Sequence, residues 1–166
     1  QRCGKPASVD IIEGKKEEID DDDYDFIIKS PGIVMNEENP KYTSETELFL
    51  QQFRDQVIGI TGTKGKSTTS AMLYTVLKAC SGRPVLLLGN IGQPCLDYFE
   101  EVTEDTIIVY EMSCHQLAHT NVSPHIAIFL NLYEEHLDYY GTVEKYFEAK
   151  RHIAAYQMSV DYFFVE

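Results

Sequence analysis

The sequence predicts an α/β fold, a mostly parallel sheet with helices on both faces. Three observations predict it. Four apolar, β-branched runs, near residues 57–61, 84–88, 106–110 and 125–131, are separated by polar stretches and helical patterns. Continuous apolar runs, unlike alternating ones, mark strands buried on both faces. The first run feeds a glycine turn and a helix start, Gly62-Thr63-Lys64-Gly65-Lys66-Ser67-Thr68-Thr69. Each run ends in a sparse polar signal: that loop, then Gly89-Asn90-Ile91-Gly92, then Glu111, then His136. Parallel sheets bind ligands outside the carboxyl ends of their strands.

In chain order, residues 1–23 carry little pattern and much charge. Asp20 to Asp23 with Glu17 and Glu18 form a solvated acidic run. Residues 24–29 read as a strand, closed by the turn Ser30-Pro31-Gly32. Residues 34–43 are loop-like. Ser44-Glu45-Thr46-Glu47 is a capping box, and Leu48, Phe49, Gln52 and Phe53 follow at helical spacing. Arg54-Asp55 is a candidate boundary. A helix is expected over 66–79 with Ala71, Met72, Thr75, Val76 and Ala79 as its buried stripe. A second helix is expected over 142–156 and a last strand over 162–165.

Net charge is −13, which argues against nucleic acid and against an anionic membrane surface. No apolar run is long enough to span a bilayer, and no signal peptide is seen. Cys3, Cys80, Cys95 and Cys114 show no metal or disulfide spacing, so reduced thiols in a cytoplasmic protein are expected. The chain begins with Gln1 and reads as a piece of a longer protein.

The stretch Gly62 to Thr69 departs from the common G-x-x-x-x-G-K-[ST] loop, because position 60 is isoleucine. The shorter loop still has the parts a phosphate needs. Glycines let backbone N–H groups approach, and a helix N-terminus adds partial positive charge. Lys66 can reach outer phosphates, and Ser67 or Thr68 can hold Mg²⁺ through a hydroxyl. The plain alternative is a Gly-Lys turn capping a helix. Glu111 is either a carboxylate leaving a strand for solvent or an oxygen ligand for Mg²⁺. His136, beside Asp138, is either a loop histidine or a ligand. Lys150 falls on one helical face with Val143, Tyr146, Phe147 and Ala154. It is either a snorkelling lysine or one aimed into the site. Cys114 and His115 are neighbours in sequence, which seldom makes a nucleophilic pair.

Taken together, these residues resemble the Mur ligase family, the ATP-dependent ligases of bacterial peptidoglycan synthesis. The carriers are Ser30-Pro31-Gly32-Ile33, the loop from Gly62 to Thr69, Gly89-Asn90-Ile91-Gly92 and Glu111-Met112-Ser113-Cys114-His115-Gln116-Leu117. Leu130-Asn131, His136-Leu137-Asp138 and Tyr146 to Lys150 complete the set. The pattern is most similar to the branch that adds D-glutamate to UDP-N-acetylmuramoyl-L-alanine. The resemblance implies that residues 1–54 end a Rossmann-like, UDP-substrate-binding domain and that residues 55–166 begin the central ATP-binding domain. A third, amino-acid-binding domain would be absent, so the piece alone would be inactive.

The resemblance also implies roles. Gly62, Thr63, Lys64, Gly65, Lys66, Ser67 and Thr68 would bind ATP. Ser30, Pro31, Gly32, Asn90 and His136 would face the UDP-sugar substrate. Ser67 and Glu111 would serve one Mg²⁺, and His136 with a carbamoylated Lys150 a second. Lys66, His136 and Lys150 would form the catalytic set. Lys64 departs from the family, which usually has Asn there and so one charge fewer beside the phosphates. The resemblance further implies a monomer at full length. Alternatives kept open are a folylpolyglutamate, diaminopimelate- or lysine-adding relative, a regulatory or transport P-loop ATPase, and a nucleotide-binding module without catalysis.

Overall fold

The computed structural model describes residues 20–33 and 39–166. The readings at Cys3, at Glu17 and Glu18 and over 34–38 lie outside the described residues. Seven strands and five α-helices are described: β1 (Ile27–Lys29), β2 (Tyr42–Ser44), α1 (Glu45–Phe53), β3 (Val57–Thr61), α2 (Lys66–Cys80), β4 (Val85–Gly89), β5 (Ile107–Glu111), α3 (Cys114–Leu117), β6 (Ile126–Phe129), α4 (Leu137–Tyr140), α5 (Val143–Ala155) and β7 (Tyr162–Val165).

Strands β3 to β7 form one five-stranded, all-parallel sheet in the order β4-β5-β3-β6-β7. Their apolar runs explain the burial: Ile60, Leu88, Ile108 and Val109 are almost wholly enclosed. Alternation sends Ile108 and Tyr110 to one face of β5 and Val109 and Glu111 to the other. On the first face Phe49 and Leu50 of α1 pack with Leu88, Ile108 and Tyr110, and Ile153 of α5 joins the same cluster. The Tyr110 hydroxyl donates to Thr46 Oγ1 at 3.2 Å, which satisfies the one polar atom of a fully buried ring. Helix α2 packs across β3, β4 and β5.

The strand order makes a switch point beside β3. The chain leaves β3 through α2 toward β4, and leaves β5 through α3 toward β6 on the other side. The loops after β3 and β5 therefore diverge, and the crevice between them lies at the carboxyl ends of adjacent strands.

Four local expectations change. The strand expected over 24–29 narrows to β1, and β2 overlaps the end of the supposed loop 34–43 and the cap residue Ser44, paired parallel to β1 from Ile27↔Tyr42 to Lys29↔Ser44. Three residues are too few to show a period. The stripe expected on α2 is wrong in phase. Met72 is 65% exposed and Val76 57%, while Ser70 is buried and Leu73 and Leu77 are partly so. On α5, Tyr146, Ala149, Lys150 and Ile153 are buried and Phe147 lies at the rim. The cap of α1 forms half as expected: Ser44 Oγ accepts from Glu47 N at 3.1 Å, but the Glu47 carboxylate turns to Thr43 Oγ1 and to Asn121. The reciprocal capping box occurs at α3 instead, between Ser113 and Gln116. The acidic run makes a short 3-10 turn, Asp21–Asp23, whose Asp21 carboxylate holds Asn39 and the Tyr42 hydroxyl. No helix among the described residues is long and apolar enough to cross a membrane.

Candidate active site

The loop between β3 and α2 turns on Gly65, which caps α2 with φ +84° and ψ −6°. That left-handed geometry suits glycine. No side chain caps the first turn of α2, and no acidic residue lies in it, a helix start whose N–H groups and dipole favour negative charge. The loop is held by partners on the β6–α4 connection. Thr63 N donates to Asn131 O at 3.0 Å, and Lys64 N donates to Asn131 Oδ1 at 2.8 Å. Asn131 Nδ2 returns a bond to Lys64 O at 3.0 Å. Thr63 Oγ1 lies 3.2 Å from the Tyr146 hydroxyl and accepts from Tyr133 N at 3.0 Å.

Two ammonium groups converge on this loop. Lys66 Nζ donates to Gly62 O and Thr63 O, both at 2.9 Å. Lys150 Nζ donates to the same Gly62 O at 2.8 Å. Lys150 is only 1% exposed and lies 4.9 Å from the centre of the Tyr146 ring. It does not snorkel. Burial, with the Lys66 charge as a lesser cause, pulls its pKa down to about 8. Two like charges on one carbonyl in a half-dry site are a poor ground state unless an anion sits with them.

Glu111, at the end of β5, is 0% exposed, so it does not exit to solvent. Its Oε1 accepts from Asn90 Nδ2 at 2.9 Å, and its Oε2 is buried with no hydrogen-bond partner. An orphaned carboxylate oxygen costs on the order of 1–3 kcal/mol or more unless a cation or donor reaches it. Mg²⁺ takes oxygen donors, and the Glu111 carboxylate at the mouth of a phosphate-type loop fits that ion. Ser67 and Thr68 are exposed on the first turn of α2, which follows directly on the loop after β3.

His136 adopts φ 57° and ψ 31°, the one non-glycine residue among those described with positive φ. Such a backbone costs about 1–3 kcal/mol and tends to persist where a side chain must be aimed. Its ring stands 5.3 Å from that of His115 and 6.0 Å from that of Tyr146. His115 is held neutral more readily than usual: burial lowers its pKa first, then the charges of His136, Lys150 and Lys29. Lys64 does not add its charge to the loop centre. It points to Glu135 Oε1 at 2.7 Å, and that hydrogen bond keeps the Glu135 carboxyl below its usual range.

Of the residues singled out in the sequence, the structure brings together Gly62, Thr63, Lys66 and Lys150 directly, and Glu111 with Asn90. Ser30, Pro31 and Gly32 form a turn at the end of β1, with Ile33 N donating to Ser30 O at 3.0 Å. No hydrogen bond among the described residues joins them to the loop, but the charge of Lys29, one residue earlier, is felt at His115. Sequence reading did not assign roles to Asn131, Glu135 or Tyr146. Asn131 carried a signal, a polar amide directly after an apolar strand. A cavity of about 530 Å³ lies elsewhere, bordered by Phe26, Tyr42, Glu47 and His152 among others. It contains none of the loop residues, so its size does not make it the site.

A parallel sheet, a switch point and a glycine loop capping a helix define a phosphate-loop α/β domain of the kind that binds nucleotides. The comparisons make that class specific. Residues 60–166 match the Mur ligase middle domain, and the chain belongs to the Mur ligase family. It is 37% identical over 165 residues to the UDP-N-acetylmuramoylalanine–D-glutamate ligase of Clostridium kluyveri, covering 95% of this chain and 36% of that one. The chain thus spans about a third of the length of the curated relatives it matches. Among solved structures, MurF from Acinetobacter baumannii is 27% identical with a TM-score of 0.56, over 73% of this chain and 28% of that one. MurF from Thermotoga maritima, solved in complex with ADP, is 23% identical with a TM-score of 0.56, over 85% of this chain and 36% of that one. At that identity the likeness is one of fold.

Proposed function

We propose that the protein carrying this chain is an ATP-dependent ligase that adds D-glutamate to UDP-N-acetylmuramoyl-L-alanine in the cytoplasm. One observation carries the reading: Lys66 and Lys150 both reach Gly62 O inside the loop, and the strand paired with β3 ends in the buried Glu111 carboxylate, one oxygen of which has no hydrogen-bond partner. That is a preorganised site for a polyanion and a cation together. The relatives named as D-glutamate ligases supply the substrate class.

In this reading Gly62, Thr63, Lys64, Gly65, Lys66, Ser67 and Thr68 cradle the ATP phosphates with their N–H groups and hydroxyls. The Lys66 ammonium leaves the carbonyls of Gly62 and Thr63 for a phosphate oxygen, exchanging neutral acceptors for a charged one. Glu111 and Ser67 would hold one Mg²⁺. His136 and Lys150 would hold a second, and Lys150 fits that task only as a carbamate, formed when its neutral amine adds to CO₂ and a proton leaves. Bound Mg²⁺ would neutralise phosphate charge and align the oxygens between which phosphoryl moves. The substrate carboxylate then takes the terminal phosphoryl of ATP, releasing ADP. The amino group of D-glutamate displaces phosphate to form the amide.

Asn90, now bonded to Glu111, and the turn Ser30-Pro31-Gly32 would face the nucleotide sugar. Residues 1–54 would end the UDP-substrate domain and residues 55–166 begin the central one. In that division α1, which shares its core with the large sheet, docks the first onto the second. The full-length protein would act as a monomer. The test is phosphate release by that protein with ATP and Mg²⁺. Release that requires both UDP-N-acetylmuramoyl-L-alanine and D-glutamate supports the ligase; release independent of the UDP-sugar makes it an ATPase.

A further inference from the structure

We propose that Cys114, His115 and His136 form a binding site for a thiophilic divalent ion of the Zn²⁺ type, distinct in chemistry from any Mg²⁺ site. The three residues each offer a ligand atom, and these atoms all lie within 4.8 Å of one another. Cys114 and His115 open α3, where the Ser113–Gln116 capping box fixes the turn. His136 comes from the far side, aimed by its left-handed backbone. The His115 ring is fixed in turn by stacking on Tyr140 at 5.6 Å and by the Tyr139 edge at 4.4 Å. Its Nδ1 lies 3.3 Å from the Tyr140 hydroxyl, the kind of outer partner that orients a metal-binding imidazole.

The donor set decides the ion. One thiolate and two imidazoles are soft or borderline ligands, which favour Zn²⁺ and disfavour Mg²⁺. Zn–S of about 2.3 Å and Zn–N of about 2.0 Å place tetrahedral donors about 3.3–3.6 Å apart. The three atoms must therefore close by up to about 1.5 Å, which the exposed His136 side chain can supply for its own two distances and a small turn of the His115 ring for the third. Three protein ligands leave the fourth position to water. Binding replaces the Cys114 S–H bond by a metal–sulfur bond and releases that proton to solvent. A consequence rests on the function proposed above: an ion here occupies His136 and withdraws it from the phosphoryl-transfer site, so Zn²⁺ inhibits.

The test titrates Co²⁺, a spectroscopic stand-in for Zn²⁺, into the full chain. One equivalent should raise a thiolate-to-cobalt charge-transfer band and tetrahedral visible bands. Stoichiometric Zn²⁺ should bleach them, and a large excess of Mg²⁺ should not. Cys114→Ser should abolish the charge-transfer band, and His115→Phe, which keeps the stacking ring, should weaken Co²⁺ binding at least tenfold. Absence of the band in the wild type overturns the site, as does a band undiminished in Cys114→Ser, which would place the thiolate on another cysteine. These readouts need no ligase activity, so the site and the proposed function fail separately.

Discussion

Lys66 and Lys150 lean on the same carbonyl for different reasons, and they should answer differently to substitution. Lys66 is tethered by its own loop, so Lys66→Ala leaves the fold intact and removes one charge-assisted phosphate contact. It should lower substrate-dependent phosphate release by on the order of a few kcal/mol of barrier, a loss of two or more decades. Near-wild-type turnover would remove the loop from the site. Lys150 is buried, with a pKa lowered from 10.5 to about 8. The unfolded chain therefore binds the more protons between those values, and stability rises with pH across that window. Lys150→Met should remove that slope. The stability difference, wild type minus variant by urea unfolding, should grow by about 2 kcal/mol between roughly pH 7.5 and 9.5. A flat difference would show that the amine is not desolvated. If carbamoylated Lys150 holds metal, activity lost in Lys150→Ala should return in part with added acetate.

At the scale of elements, the carboxyl ends of β4 and β5 are packed too closely for any side chain but hydrogen at position 89. A Cβ on Gly89 would lie 2.3 Å from Glu111 O and 2.4 Å from the Tyr110 ring, at φ +103°. Gly89→Ala should cost about 2–3 kcal/mol of stability by strain alone. It should also part Asn90 from Glu111, seen as weaker Mg²⁺ dependence of phosphate release. A variant of unchanged denaturant midpoint would show that the two strand ends are loose. The phase error on α2 has its cause at this scale as well. That helix carries apolar residues around most of its circumference, so period alone allows more than one stripe. The sheet takes Ser70, Leu73 and Leu77 because the loop has already fixed how the helix leaves β3.

For the whole molecule, the candidate site and the anchoring ion pairs occupy opposite ends of the sheet. The carboxyl ends hold Lys66, Glu111 and His136. At the other end the buried Asp161 carboxylate joins three segments: Arg54 before β3, His125 before β6 at 2.7 Å, and Met158 N at 2.6 Å before β7. Burial alone would raise the Asp161 pKa, but the bonds from Met158, His125 and Arg54 outweigh it and hold the carboxyl below its usual value. Its contribution is present above the unfolded carboxyl range and is lost as pH falls through the depressed pKa. Asp161→Ala leaves the partly buried Arg54 only Asp55 and the Ser123 carbonyl, strips His125 and Met158 N of their acceptor, and should cost about 1–3 kcal/mol. Amide exchange should accelerate first over 162–165, the edge strand whose four side chains are exposed. Uniform acceleration through β3 and β5 instead would show that the tie does not act on that edge.

The sequence by itself determined the parallel sheet, the place of its strands and the loop that follows β3. It did so because apolar runs and glycine–lysine punctuation are local signals that each segment carries alone. It also raised Glu111, His136 and Lys150 as candidates, each beside a plain alternative, with Lys150 the one out of place on an apolar stripe. It did not determine what those residues meet. Whether Glu111 leaves for solvent, and whether Lys150 snorkels, depends on burial, which belongs to packed neighbours from distant segments. The shared Gly62 carbonyl joins residues 62, 66 and 150, and Asn131 locks the loop across 67 positions of chain. The meeting of Cys114 and His115 with His136 has the same origin. Only the strand order, which sends α3 and α4 to one rim of the crevice, brings a thiol and two imidazoles within reach of a single ion.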